Sequence, residues 1–181
     1  LTIDGIAVRY RREGRGFPLI FIHGLGGSLE HWRDSYRFFA PLGLEVIGLD
    51  LPGYGRSEKP AIEYSIPYYA RFVLDFIQSL KLKEKPVLVG NSMGAHIASY
   101  FAARYPESLQ GLLILDGSGL NELNLLEDLV VQMTFHQKHI GKLLKYMADI
   151  FAVNVFYNPS CPGALRFIQE QKEMAVREDY S

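Results

Sequence analysis

Four short apolar runs alternate with longer stretches whose apolar residues recur every three or four positions. The runs are Leu19-Ile20-Phe21-Ile22, Val46-Ile47-Gly48-Leu49, Val87-Leu88-Val89 and Leu112-Leu113-Ile114-Leu115. Uncharged runs of this length predict strands buried on both faces. Residues 29–40 carry Trp32, Tyr36 and Phe39 or Ala40 at helical spacing, and Pro41 and Gly43 end that segment. Ser65 reads as the N-cap of a second helix with an apolar face of Ala70, Val73, Ile77 and Leu80. Lys81, Lys83 and Lys85 lie at or beyond its carboxyl end, where cations are favoured. A third helix, from Met93 to about Tyr105, has small residues on one side (Gly94, Ala95, Ala98, Ala102) and stops at Pro106. Strand and helix patterns that alternate this way predict an α/β fold with parallel strands and right-handed crossovers. Ahead of them, Leu1 to Arg12 reads as a hairpin around Asp4-Gly5.

The pattern changes after Asp116-Gly117-Ser118-Gly119, beyond which no strand-like run occurs. Leu126, Met133, Ile140, Met147 and Phe151 fall at helical intervals, and a turn at Asn158-Pro159-Ser160-Cys161-Pro162-Gly163 leads to a last helix with Leu165, Ile168 and Ala175 on one side. The expected division is therefore an α/β unit over 1–119 and a helical region over 120–181.

Composition narrows the function. With 181 residues, 48% hydrophobic content and a net charge of −1, the chain can bury one core and a small appended domain. The near-neutral charge gives no electrostatic case for nucleic acid or an anionic membrane surface. One cysteine, Cys161, excludes an internal disulfide and a cysteine-based metal site, and reads as a small hydrophobe. No apolar run approaches the roughly 18 residues that span a bilayer, and no signal peptide precedes the first strand. A cytoplasmic location is the default expectation, although the chain opens on Leu1 rather than Met. Homo-oligomerisation is left open.

Chemistry enters at Gly90-Asn91-Ser92-Met93-Gly94, a Gly-x-Ser-x-Gly between a predicted strand and a predicted helix. A serine on so tight a turn needs small residues two positions either side, and its hydroxyl is then held above the sheet edge at a helix N-terminus, where an anion is favoured. Ser92 is the expected nucleophile. Two more loops follow strand ends on the same edge, where α/β sheets bind ligands. His23-Gly24-Leu25-Gly26-Gly27-Ser28 can offer backbone N–H groups to an oxyanion, and Asp50-Leu51-Pro52-Gly53-Tyr54-Gly55-Arg56-Ser57 makes a tight double-glycine turn.

With these three blocks in this order, the first 120 residues or so resemble the α/β-hydrolase fold family, and more narrowly its capped serine hydrolases of esterase and carbon-carbon hydrolase type. The resemblance implies that Ser92 is the nucleophile and that the N–H of Met93 is one oxyanion donor. The second donor comes from the loop after His23, with Leu25 as first choice and Gly26 as the other. Serine at the elbow argues against the family's dehalogenases and epoxide hydrolases, which carry aspartate there. The region over 120–181 is then a helical cap above the site, a gating element that excludes water.

Such an enzyme also needs a histidine base and an orienting carboxylate, in chain order serine, acid, histidine. Of the five histidines, His23 braces loops, His31 is expected exposed on the first helix, and His96 lies one turn after Ser92, pointing away from its hydroxyl. His136 and His139 belong to the cap. None has the address of the base, so the catalytic histidine and the last strands are expected beyond residue 181, in a chain of about 250 to 290 residues. Asp116 is the one candidate acid at a strand end after Ser92, although an aspartate before Gly-Ser-Gly also suits a plain turn. The expected activity is acyl transfer from a small, mainly apolar ester or related carbonyl compound, with no metal or organic cofactor. A carbon-carbon bond hydrolase and a non-catalytic small-molecule receptor on the same fold are the alternatives.

Overall fold

The computed structural model describes residues 1–117, so the cap expected over 120–181, including Met133, His136, His139, Met147, Phe151 and Cys161, lies outside the described residues. The chain opens on a hairpin of β1 (Thr2–Ile3) and β2 (Ile6–Ala7), closed by Asp4 at φ 49° and Gly5 at φ 81°. Two left-handed residues in a two-residue turn match the twist of the flanking strands.

There follow β3 (Tyr10–Glu13), β4 (Phe17–Ile22), α1 (Arg33–Phe39), β5 (Leu44–Leu49), α2 (Ile66–Ser79), β6 (Val87–Ser92), α3 (Met93–Arg104) and β7 (Gly111–Gly117). The five longer strands form one sheet in the order β3-β5-β4-β6-β7. As expected, β4 pairs in parallel with β5 and β6, and β6 with β7. The strand β3 is antiparallel to β5, with Tyr10 opposite Leu49 and Glu13 opposite Val46. Its Tyr-Arg-Arg-Glu sequence has no apolar run because it is an edge strand, and Arg12 reaches across to Glu45 at 2.9 Å.

Side-chain alternation along the strands separates two buried faces. Phe21, Val46 and Val89 pack with Trp32 and Tyr36 beside α1. Gly90, of opposite parity to Val89, lies against the first turn of α3, so α3 covers the other face. Ile20, Ile22, Ile47, Leu49 and Leu88 are fully buried in the middle. The helix expected over 29–40 begins as a separate 3₁₀ turn, Leu29–Trp32, because the Leu29 N–H is drawn to the Asp50 carboxylate at 2.7 Å. Ser65 caps α2 as expected, accepting from the Tyr68 N–H at 3.3 Å.

Candidate active site

Ser92 ends β6 and begins α3 with φ 51° and ψ −117°, a conformation that a residue with a side chain occupies only at a cost of about 1–3 kcal/mol. The surroundings enforce it. A Cβ on Gly90 would lie 2.6 Å from the Ala95 Cα, and one on Gly94 would lie 2.7 Å from the His23 carbonyl oxygen. Strand, helix and the end of β4 therefore meet backbone to backbone, which only glycine permits at both positions. Gly94→Ala is expected to lose about 3 kcal/mol of stability. Gly43→Ala, at φ 81° with nothing near its Cβ, should lose about 1 kcal/mol. Urea unfolding of the two variants checks the order.

The serine hydroxyl makes no hydrogen bond with another described residue, and α3 starts without a side-chain cap. The first N–H groups of the helix are thus available to a ligand rather than spent on a capping side chain. The loop after β4 comes directly alongside, since a Cβ on Gly24 would lie 3.2 Å from the Ser92 Cβ. This loop turns tightly, with the Gly27 N–H donating to the Gly24 carbonyl at 3.0 Å and Gly26 at φ 66°.

His23 is fully buried and both ring nitrogens are engaged. Nε2 accepts from the Leu51 N–H at 3.0 Å, which places the proton on Nδ1, and Nδ1–H donates to the Gly24 carbonyl at 2.8 Å. Burial, offset in part by that carbonyl, pushes the imidazole down to about 4, so it is neutral near pH 7. The Gly24 carbonyl and the Leu25 N–H share one peptide plane. Two hydrogen bonds to the carbonyl, from His23 and Gly27, fix that plane and leave the Leu25 N–H on its opposite side. The histidine joins the loops after β4 and β5, as expected of a brace.

Asp50 is the second brace. Its buried carboxylate accepts from the Leu29 N–H at 2.7 Å and the Arg56 N–H at 2.8 Å, with Arg9 Nη1 at 3.5 Å. Burial pushes the carboxyl above its usual range, against the two N–H groups and the guanidinium. Ser57 Oγ donates to the Asp50 carbonyl at 2.6 Å and accepts from the Arg9 N–H at 2.9 Å, which closes the turn onto the strand. A Cβ on Gly55 would lie 2.8 Å from Asp50 Oδ1.

Asp116 is brought beside the elbow. The ladder between β6 and β7 pairs Asn91 with Leu115 and Ser92 with Gly117, so Asp116 is the extra residue of a bulge, at φ 48° and with an exposed side chain. Bulges of this kind re-aim a side chain next to a site. His96 is half-buried on α3. His31 departs from expectation, being half-buried rather than exposed. The 3₁₀ turn tucks its ring beside Gly27, where a Cβ would stand 2.9 Å from Nδ1, and burial pushes it down to about 4. A contact unforeseen from sequence joins Tyr54, in the turn after β5, to the Met93 sulfur at 3.7 Å. Among the described residues no three His, Cys, Asp or Glu side chains could hold a metal ion together, and no helix is long and apolar enough to cross a membrane.

The protein ABHD8 of Homo sapiens is 36% identical over 103 residues, which are 56% of this chain and 23% of that protein. A 2-hydroxy-6-oxo-6-(2'-aminophenyl)hexa-2,4-dienoic acid hydrolase of Metapseudomonas resinovorans is 31% identical over 154 residues, 82% of this chain and 52% of its own. The crystal structure of a membrane phospholipase A, a bacterial virulence factor, superposes with a TM-score of 0.71 at 29% identity, covering 97% of this chain and 56% of the other. The chain thus spans about half, or less, of these relatives. The family model described as alpha/beta hydrolase fold matches residues 18–144, and the chain belongs to that family.

Proposed function

We propose that the protein is a serine hydrolase that transfers the acyl group of a small, mainly apolar ester to Ser92 and then to water. The observation that carries this reading is the strained Ser92 at the uncapped start of α3. Ser92 Oγ attacks the carbonyl carbon, the oxyanion is received by the N–H groups of Met93 and Leu25, the alcohol leaves, and water releases the acid. Gly26 is the alternative donor in the same loop. Removing one such donor costs about 10²–10³ in rate in enzymes of this kind, so the His23 and Asp50 braces matter to catalysis through the loops they hold.

His23 has both nitrogens committed to backbone groups and so does not serve as the base; a histidine outside 1–117 is the expected base, in keeping with the chain order serine, acid, histidine. Asp116, at the bulge beside the elbow, is the candidate for its orienting carboxylate within the described residues.

Likeness to a hexadienoic acid hydrolase favours a second reading, cleavage of a carbon-carbon bond next to a ketone by the same residues. Steady turnover of p-nitrophenyl butyrate by the full-length protein supports the ester reading. Turnover of a 2-hydroxy-6-oxohexa-2,4-dienoate with slow ester cleavage supports the second. Thermal stabilisation by either compound without turnover would instead mean a receptor.

A further inference from the structure

We propose that Tyr54 is a positioning residue for the oxyanion donors, acting through Met93; the proposal rests on the nucleophile reading above. The two donor N–H groups hang from different segments, Leu25 from the loop after β4 and Met93 from α3; the backbone packing of Gly94 against the end of β4 brings these segments together, and the seating of the Met93 side chain is what a further contact can fix. His23 and Asp50 tie the loop after β4 to the loop after β5. Tyr54 carries that frame to the elbow, with its hydroxyl 3.7 Å from the Met93 sulfur and also in hydrogen-bond contact with the Tyr69 side chain. Met93 is 5% exposed, so its side chain has no solvent alternative to this partner.

The tyrosine is itself firmly set. Its N–H donates to the Leu51 carbonyl at 2.9 Å, and its carbonyl accepts from the Ser57 N–H at 3.1 Å. Its ring lies edge-on to His23 at 5.3 Å and tilted to Tyr69 at 6.3 Å. Tyr69, on α2, donates its hydroxyl to the Pro52 carbonyl at 3.1 Å and so fixes the same turn from the helix side. Gly53 at φ 87° and Gly55 at φ 52° let the chain reverse on either side of Tyr54. A thioether is a weak acceptor. The contact therefore acts by geometry: it seats the Met93 side chain, and with it the first peptide of α3, at the position the developing oxyanion needs.

The test is a double-mutant cycle in the full-length protein, with p-nitrophenyl butyrate turnover, the rate of labelling by a fluorophosphonate, and thermal unfolding as readouts. Tyr54→Phe should lower kcat about 5-fold with KM unchanged. Labelling should slow in parallel, because phosphonylation uses the same donors, and the melting temperature should stay within about 2 °C. On a Met93→Leu background, which lacks the sulfur, Tyr54→Phe should have no further effect on kcat. An unchanged kcat in Tyr54→Phe, a change confined to KM, or an equal loss on both backgrounds would overturn the positioning role while leaving Ser92 as nucleophile. A wild-type protein with neither turnover nor labelling would remove the nucleophile reading and this proposal with it.

Discussion

Ser92→Ala is expected to lower ester turnover by about 10⁴-fold or more while leaving the fold intact. The two effects separate cleanly because the hydroxyl makes no hydrogen bond with another described residue. What holds the elbow is the backbone packing of Gly90 and Gly94, and alanine keeps both the Cβ and the strain of a φ of 51°. Ser92→Gly is equally inactive but relieves that strain, and should be more stable than wild type by about 1 kcal/mol. A pair of variants in which activity is lost and stability is unchanged or raised is the signature of a residue strained for chemistry. Turnover of p-nitrophenyl butyrate and urea midpoints for the two variants measure it. A loss of stability in Ser92→Gly would contradict the account of the elbow.

Acid should unfold the protein well above the pH at which carboxylates titrate. His23 and His31 are each held at about 4 by burial, against 6.5 in a free chain. Between pH 6.5 and 4 the unfolded chain takes up protons that the folded one refuses, so stability is full above 6.5, falls as the pH drops through that window, and levels off below 4. For His23 alone the loss is about 3 kcal/mol, and His31 adds in the same direction. Asp50 runs the other way, since its raised carboxyl favours the folded state as the pH falls toward 3.8, but it is one group against two. Urea midpoints at pH 7.5, 6 and 5 should decline steeply, and His23→Gln should flatten the slope whatever it does to stability at pH 7.5. A midpoint that is flat from 7.5 to 5 would show that these imidazoles are not held neutral. In the folded protein His23 stays neutral until the pH nears 4, so activity lost through the broken contact with the Leu51 N–H should appear only near that pH.

The residues that build the strained turn were legible in the sequence because their requirements are local. Gly90 and Gly94 are needed by the turn they sit in, and Ser92 stands between them in five consecutive positions. The strands were legible for the same reason: apolar runs such as Leu19–Ile22 need no partner to be seen. What was hidden depends on contacts far apart in the chain. The pairing of β3 with β5 could not be seen in Tyr-Arg-Arg-Glu, since an edge strand carries no apolar run. The burial of His31 follows from a 3₁₀ turn fixed by Asp50, 21 residues away from the Leu29 N–H it binds. The meeting of Tyr54 with Met93 spans 39 residues. The bulge at Asp116 arises where β7 must accommodate the elbow of β6, a demand of the neighbouring strand rather than of the Asp-Gly sequence itself.

Activation of Ser92 as a nucleophile is tested by intact-mass analysis of the full-length protein after treatment with a fluorophosphonate, with the adduct localised by peptide mapping. One adduct is expected, on the peptide that carries Ser92, and none in Ser92→Ala. No adduct, or one that persists in Ser92→Ala, would contradict it.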